Sequence, residues 1–345
     1  MRIGAVLFSA LCGLALVAPG HSAAARHHAS HHPAASRHAA TAQKPPFSQA
    51  VLEAEVLLDR AGASPGAIDG RDGENFANAL HAFQQASGLP AGPLDQQTMA
   101  GLAQASNGAA LTQYTIQPED VKGPFAPQIP QDFEQMAELP RLAYHNPRQE
   151  LAEKFHMSES LLATLNPNIN FEQPGTVITV ANVAPMPENP KLAARAGEGS
   201  GSTEQNGPAA SKVVVDKPHH AVIVYGPDNR LIAFFPASIG SAEKPAPSGS
   251  FMVRSVSYDP TYTYDPAYHF RGQKAEQKVT VRPGPNNPVG LVWIGLSAKG
   301  YGIHGTPDPD QIGKTQSHGC VRLTNWDALK LAKMVKRGTP VDFLG

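Results

Sequence analysis

Hydrophobic residues recur at helical spacing in the first third of the chain. Between residues 75 and 87, four apolar side chains occupy positions i, i+3, i+4 and i+7 and so share one face of a helix: Phe76, Ala79, Leu80 and Phe83. Gly88 ends this helix, and Ser48 and Asp95 are residue types that cap the helices before and after it. The pattern predicts a small all-α domain of three helices over residues 47–105.

Beyond residue 210 the apolar residues form short runs separated by turn residues, which is typical of strands. The predicted strands cover residues 213–215, 221–225, 231–238, 251–256 and 291–296. One late helix is clear, because Thr324 is a capping residue, Asp327 follows at the third helical position and Gly338 stops the segment. A mainly-β domain with this one clear helix is therefore expected over residues 211–345.

Residues 141–182 combine both patterns. Strand-like runs at 142–144 and 175–180 enclose two helical segments, the second of them capped by Ser158, and this order predicts a small βααβ module. Residues 183–210 are rich in Pro, Gly, Ala, Ser and Glu and carry no hydrophobic period, so they predict a mobile linker that makes the last domain separable. The expected fold class is a multidomain α+β protein.

The beginning of the chain has the features of a targeting segment. A basic Arg2, an apolar run and small residues up to Ala25 predict a signal peptide over residues 1–25. An uncleaved anchor is the alternative, although the run is shorter than the ~20 apolar residues that a membrane span needs. We expect export, with no stable insertion in the membrane once the signal is removed.

Two further features limit the possible partners. Residues 26–46 are rich in His, Ala, Ser and Pro and are expected to form a disordered spacer, with loose metal binding as the alternative. The formal net charge of −1 gives no electrostatic basis for binding nucleic acid.

Cysteine usage points to a nucleophile near the end of the chain. Cys12 lies in the predicted signal peptide, so Cys320 would be the only thiol of the mature protein and could not form an internal disulfide. It follows His318 by two residues and His304 by sixteen, as expected of a thiolate activated by a histidine. Zinc binding by the same three residues is the alternative, but a fourth ligand at a suitable spacing is missing. We therefore expect neither a metal nor another cofactor.

The residues around Cys320 resemble the catalytic domain of the L,D-transpeptidases, enzymes that cross-link bacterial peptidoglycan. The resemblance rests on His304-Gly305, then Ser317-His318-Gly319-Cys320-Val321-Arg322, with matching flanks at 212–216, 247–251, 293–296 and 338–341. It covers roughly residues 211–344 and implies a mostly β fold, sandwich-like or barrel-like.

The other two modules have resemblances of their own. Four short blocks in the first domain resemble a three-helix peptidoglycan-binding domain: residues 68–70, 82–84, 88–90 and 94–98. Residues 141–182 are similar to a LysM glycan-binding module, although Asn146-Pro147-Arg148-Gln149 replaces its usual Gly-Asp turn.

The transpeptidase resemblance also implies roles for single residues. Cys320 would be the nucleophile and His304 the base, oriented by a backbone carbonyl, while His318 would line the site; an exchange of roles between the two histidines stays open. Backbone N–H groups of Gly319 and Cys320 would form the oxyanion hole. The remaining motif residues would support the site, the arginine by holding the loop or a substrate carboxylate: Ser317, Gly305 and Arg322.

An aromatic segment between residues 258 and 285 is longer than a plain hairpin needs. It is expected to be a lid over the substrate groove, with a surface loop packed on its own sheet as the alternative. Its tyrosines are Tyr258, Tyr262, Tyr264 and Tyr268.

The reaction implied by the resemblance is an acyl transfer. Cys320 would cleave the D-Ala end of a peptidoglycan tetrapeptide stem through a thioester, and an amine on another stem would resolve it and cross-link the wall. Resolution by water, by a D-amino acid or by a protein amine would instead give a carboxypeptidase, an exchange enzyme or an anchoring enzyme. A wall-binding protein with an inert catalytic domain is the non-enzymatic alternative. Peptidoglycan is the expected partner and the periplasm or cell wall the expected location, while the oligomeric state stays open.

Overall fold

The three N-terminal helices have the predicted bounds and caps. The computed structural model describes residues 45–106, 108–193, 209–241, 244–268, 275–315 and 319–345, so the predicted signal peptide and all but the last two residues of the spacer lie outside it. The helices are α1 (Gln49–Arg60), α2 (Glu74–Ser87) and α3 (Gln96–Ala105). Ser48 and Asp95 accept hydrogen bonds from the N–H groups of Val51 and Thr98, and Gly88 ends α2 in the left-handed region.

The middle module is built on an antiparallel ladder of two strands, β1 (Leu111–Thr115) and β2 (Val177–Ala181). Three helices lie between them: α4 (Phe133–Ala137), α5 (Pro147–Lys154) and α6 (Glu159–Leu165). The predicted strand at 142–144 is wrong, because the first strand of the module is β1. Leu142 instead donates its N–H to the carbonyl of Pro283 (2.9 Å) and accepts from the N–H of Asn286 (3.0 Å) in the last domain. Glycan binding by residues 141–182 stays a prediction.

The last domain is mainly β, as the sequence predicts. Its main strands are β3 (Lys212–Asp216), β4 (Ala221–Tyr225), β5 (Leu231–Pro236), β6 (Ser238–Ile239), β7 (Gly249–Tyr258), β10 (Val292–Leu296), β11 (Gly302–His304), β12 (Val321–Arg322) and β13 (Pro340–Leu344). Within the described residues they form one sheet in the order β5-β4-β3-β13-β7-β10-β11-β12-β6. A separate hairpin consists of β8 (Tyr262–Tyr264) and β9 (Val279–Val281).

The predicted late helix is α7 (Asn325–Met334), which covers the core of this sheet. Thr324 caps it by accepting a hydrogen bond from the N–H of Asp327. Trp326 is 1% exposed and lies in the same core cluster as Ile294 and Ile303 of the sheet. Burial of a side chain of this size stabilises the domain by several kcal/mol, since removal of a buried aromatic ring costs about 3–5 kcal/mol.

The N-terminal helical domain and the middle module are hydrogen-bonded to their neighbours through backbone groups. Phe234 on the edge strand β5 donates its N–H to the carbonyl of Gly62 and accepts from the N–H of Ser64, both at 2.9 Å. The helical domain thus covers an edge that would otherwise offer unpaired backbone groups. Ile68 makes a similar pair of bonds, also at 2.9 Å, to His156 and Ser158 of the middle module.

Buried side chains join all three modules at the start of α7. Asp59 of α1 accepts hydrogen bonds from Lys330 of α7 (2.8 Å) and from His156 of the middle module (3.1 Å). The imidazole of His156 stacks on Trp326 with ring centroids 5.2 Å apart. An isolated last domain would leave Trp326 uncovered and Lys330 without this carboxylate.

Whether the last domain is separable stays a prediction, and the structure shows this domain packed against the other two modules. Lys44–Gly345 form one compact unit. Residues 194–208 of the predicted linker lie outside the described residues. In the part of the chain that the structure describes, no helix is long and apolar enough to span a membrane.

Glu153 of α5 adds a titratable group to this junction. It is 2% exposed, and its Oε2 accepts a hydrogen bond from Asn325 Nδ2 at 2.9 Å. Burial raises the pKa of Glu153 to about 8. The folded protein therefore keeps the Glu153 proton up to about pH 8, whereas the unfolded chain loses it near pH ~4.3. Between these values the folded state binds more protons, so this residue makes stability fall as pH rises.

We predict that Glu153→Gln, which mimics the protonated carboxyl, raises the thermal midpoint at pH 8 and changes it little at pH 5. The expected gain in the free energy of unfolding at pH 8 is on the order of 2–4 kcal/mol. Calorimetry at both pH values checks this, with Glu53→Gln on the exposed side of α1 as the control. A gain of equal size at pH 5 would contradict the assignment.

Candidate active site

Strand register places the motif residues on one face of the sheet. β11 runs parallel to β12, with Ile303 opposite Val321 and His304 opposite Arg322. Ile303 and Val321 point into the core, so His304 and Arg322 point to the other face. Cys320 precedes β12 by one residue and shares the His304 face through the same alternation. The fold therefore brings together two residues that are sixteen positions apart in sequence.

His304 is held rigidly. The side chain is 4% exposed, and its Nδ1 lies 2.7 Å from the carbonyl oxygen of Gly305. Its ring stacks on Trp293 of β10, with centroids 5.6 Å apart and planes at 20°. Gly302 makes room for this tryptophan, because a Cβ at Gly302 would lie 2.6 Å from the Trp293 ring.

The hydrogen bond to Gly305 fixes the tautomer of His304. A carbonyl oxygen can only accept, so Nδ1 carries the hydrogen and Nε2 keeps its lone pair. Burial and the nearby Arg322 charge lower the pKa of His304 to about 3, although the Gly305 carbonyl opposes the shift. His304 is therefore neutral over the physiological range and can accept a proton at Nε2.

Cys320 is partly exposed at the surface of the site. Its sulfur lies 3.9 Å from the carbonyl oxygen of Gly300 and accepts a hydrogen bond from the N–H of Gly302. Burial of the sulfur raises the pKa of the Cys320 thiol above its ordinary value, while the Gly302 N–H and the Arg322 guanidinium oppose the shift. In the resting site both groups are neutral, so the thiol must lose its proton as it attacks.

The backbone before Cys320 requires glycine. Gly319 has φ +104°, and a Cβ there would lie 3.3 Å from the Tyr301 ring. This conformation leaves the space beside the nucleophile free of a side chain, as a backbone oxyanion hole requires. Ser317 and His318 lie outside the described residues, so their predicted roles stay predictions.

The predicted lid residues occupy different environments. Tyr258 ends β7 and packs beside the main core, whereas Tyr264 is buried in a separate apolar cluster with Val281. Tyr262 is partly buried at the same cluster and lies close enough to Arg322 to interact with its charge. Tyr268 belongs to the short 3-10 helix Pro266–Tyr268. Tyr262 is thus close to a motif residue.

Asn325 is a site residue that the sequence analysis missed. Its Oδ1 accepts from the N–H of Leu291 (3.0 Å), and its Nδ2 donates to the carbonyl of Pro285 (3.2 Å) as well as to Glu153. A Cβ at Gly305 would approach Asn325 Oδ1 to 2.3 Å. Asn325 therefore packs directly against the residue whose carbonyl orients His304. In the sequence, the one hint was that Asn325 follows the capping residue Thr324. A polar residue at the start of a helix needs no further explanation, so this hint did not point to the site.

Comparisons with known proteins identify the domain that holds this site. Residues 210–342 match the family model of the L,D-transpeptidase catalytic domain, and residues 48–102 match that of a "putative peptidoglycan binding domain". Residues 210–342 are thus similar to the L,D-transpeptidase catalytic domain family. The resemblances stated for the first and the last domain are thereby confirmed. These two models do not cover the middle module.

Relatives of this transpeptidase domain come from distant bacteria. The chain is 34% identical to "Putative L,D-transpeptidase YkuD" of Bacillus licheniformis, over 33% of this chain and 53% of that protein. It is 28% identical to "Probable L,D-transpeptidase YbiS" of Escherichia coli K12, over 57% of this chain and 60% of that protein. The L,D-transpeptidase from Mycobacterium smegmatis has a solved structure similar to this one, with 24% identity, TM-score 0.31, and coverage of 39% of this chain and 58% of that chain. The chain thus spans between half and two thirds of the curated relatives' lengths.

We predict that alkylation of Cys320 by iodoacetamide increases steeply from pH 6 to pH 8 without a plateau. Only the thiolate reacts, and its fraction rises about tenfold per pH unit below the thiol pKa, which burial raises. Mass spectrometry of the Cys320 peptide gives the rate, with the urea-unfolded protein as the control that should react faster at pH 7. A plateau below pH 7 would reveal a preformed thiolate–imidazolium pair and contradict this description.

Proposed function

We propose that this chain is an exported L,D-transpeptidase that cross-links peptidoglycan through a thioester on Cys320. The observation that carries the proposal is a partly exposed thiol one residue before β12 and a buried, neutral histidine on the neighbouring strand β11, in a domain that matches the transpeptidase family model. This arrangement supports the proposed roles of Cys320 as nucleophile and His304 as general base.

In the first half-reaction the Cys320 sulfur attacks the carbonyl carbon of the peptide bond before the terminal D-Ala of a donor stem. His304 Nε2 takes the thiol proton as the C–S bond forms, and backbone N–H groups at Gly319 and Cys320 stabilise the oxyanion. The C–N bond then breaks, the proton returns to the leaving nitrogen, and D-Ala departs. The donor remains on the protein as a thioester.

In the second half-reaction an amine of another stem attacks the thioester carbonyl. The amine loses a proton to His304, the C–S bond breaks, and the sulfur recovers the proton as a thiol. Because His304 is neutral again after D-Ala leaves, the same group serves as base in both halves. Positive charge on Arg322 stabilises negative charge on the sulfur in each.

The N-terminal domain supports peptidoglycan as the partner. We infer that residues 47–105 hold the chain on the wall, in the periplasm or cell wall, while the thioester chemistry takes place at the sheet. Binding by one part of a chain raises the effective concentration of wall stems at another part.

We predict that Cys320→Ala abolishes formation of an acyl-enzyme with a carbapenem or a tetrapeptide stem, as measured by intact-protein mass spectrometry. His304→Ala should slow acylation by about 10²–10⁴-fold, because it removes the general base. His318→Ala is the comparison, and a larger loss there than in His304→Ala would reverse the assignment of the base. Normal turnover by Cys320→Ala would end the proposal.

The same variants identify the acceptor when the protein is incubated with purified sacculi. Mass spectrometry of the released muropeptides should show dimers linked between two third-position residues with the unmodified protein and none with Cys320→Ala. Tripeptides without dimers would indicate a carboxypeptidase, and stems ending in an added D-amino acid would indicate exchange. Unaltered sacculi, despite binding, would favour the non-enzymatic alternative.

A further inference from the structure

A segment of the middle module packs on the β8–β9 hairpin of the catalytic domain. This segment, residues 129–142, contains α4 and is called the brace below. Phe133 of the brace lies between two hairpin tyrosines, with its ring centroid 4.8 Å from that of Tyr264 and 5.6 Å from that of Tyr262. These rings belong to an apolar cluster that is separate from the main core of the sheet, and its buried members are Phe133, Met136, Leu142, Tyr264, Ala275 and Val281.

The end of the brace also binds both ends of the chain segment that carries the hairpin. Arg141 makes two hydrogen bonds to the carboxylate of Asp259, at 2.8 and 3.0 Å, just before β8. Leu142 makes backbone hydrogen bonds to Pro283 and Asn286, beyond β9. Gly284 is required here, because its φ is +147° and a Cβ would lie 2.1 Å from the Leu142 carbonyl oxygen.

The hairpin itself is short. Each of its strands has three residues, and a two-stranded hairpin of this size is marginally stable by itself. Two exposed threonines, Thr263 and Thr280, face each other across it through a 2.8 Å hydrogen bond. The buried side of the hairpin is the side that contacts Phe133.

Tyr262 of the hairpin is also close to a residue near Cys320. Tyr262 contacts Phe133, and its phenol oxygen, when ionised, would raise the pKa of Arg322. Arg322 lies two residues after Cys320 and acts on the pKa values of both Cys320 and His304. The middle module thus contacts Tyr262, and Tyr262 lies near Arg322 on the strand that follows Cys320.

We propose that the brace sets the position of the β8–β9 hairpin, which belongs to the predicted lid, and that Phe133 and Arg141 are positioning residues for the donor stem. The proposal rests on the transpeptidase function above. Loss of the Phe133 ring would let the hairpin shift, and a displacement of about 1 Å in a substrate-positioning group can cost up to about 10²-fold in rate.

The test compares Phe133→Ala and Arg141→Ala with the unmodified protein at a temperature where all are folded. We expect kcat/KM for acylation by a soluble tetrapeptide stem to fall about tenfold or more. Alkylation of Cys320 by iodoacetamide should stay unchanged, since that small reagent does not need the hairpin. Amide hydrogen exchange at residues 258–268 and 275–285 should become faster.

Two matched variants separate positioning from a merely structural role. Phe133→Leu keeps an apolar contact and should restore most of the acylation rate. Arg148→Ala removes an arginine of the same module that pairs with Glu159 inside the module, and it should leave acylation unchanged.

Three outcomes decide the proposal. Faster exchange of the hairpin without slower acylation would overturn the positioning role, and unchanged exchange in both alanine variants would overturn the brace itself. Absence of an acyl-enzyme in the unmodified protein would overturn the proposed function, whereas a loss confined to the variants supports the brace.

Discussion

The first turn of α7 imposes the constraint on which the rest of the structure depends. It buries polar side chains that are costly to bury without partners, and those partners come from other modules. Asp327 accepts a hydrogen bond from Ser64 at 2.9 Å, and Asn325 donates one to Glu153 at 2.9 Å. Lys330, one turn later, binds Asp59. The helical domain and the middle module therefore supply part of the packing and hydrogen bonding that buries this turn.

This junction also supports His304. Asn325 is fully buried, and its side-chain oxygen fills the space that the missing Cβ atoms of Gly290 and Gly305 leave open. The carbonyl of Gly305 in turn fixes Nδ1 of His304. The Gly305 carbonyl orients the imidazole, as a carboxylate does in many triads. Unlike a carboxylate, it carries no negative charge that would raise the pKa of the imidazole. Burial and the positive charge of Arg322 keep the histidine neutral and suited to accept a proton.

Local patterns were sufficient to predict much of this protein. Ser48, Asp95, Ser158 and Thr324 all cap helices as their residue types suggest, since capping depends on atoms within one turn. The motif around Cys320 indicated the family for the same reason, because its residues are close in sequence. Contacts between modules could not be predicted in this way. Leu142 lies in a run of strand-like residues, yet its backbone is hydrogen-bonded to Pro283 and Asn286 of the last domain. No periodicity within residues 141–182 reveals these contacts.

The packing changes how the wall-binding and catalytic parts can cooperate. A flexible tether would let the catalytic domain search many stems around the point of attachment, with an effective concentration set by linker length. Here the helical domain is fixed to the edge of β5 and the middle module to the hairpin, so the direction from the binding domain to Cys320 is also fixed. In the proposed function, a rigid arrangement would reach fewer stems but would present them in one orientation, which would favour transfer between stems at a defined spacing on the glycan strands. The alignment of donor and acceptor then depends on the same buried contacts that hold the modules together.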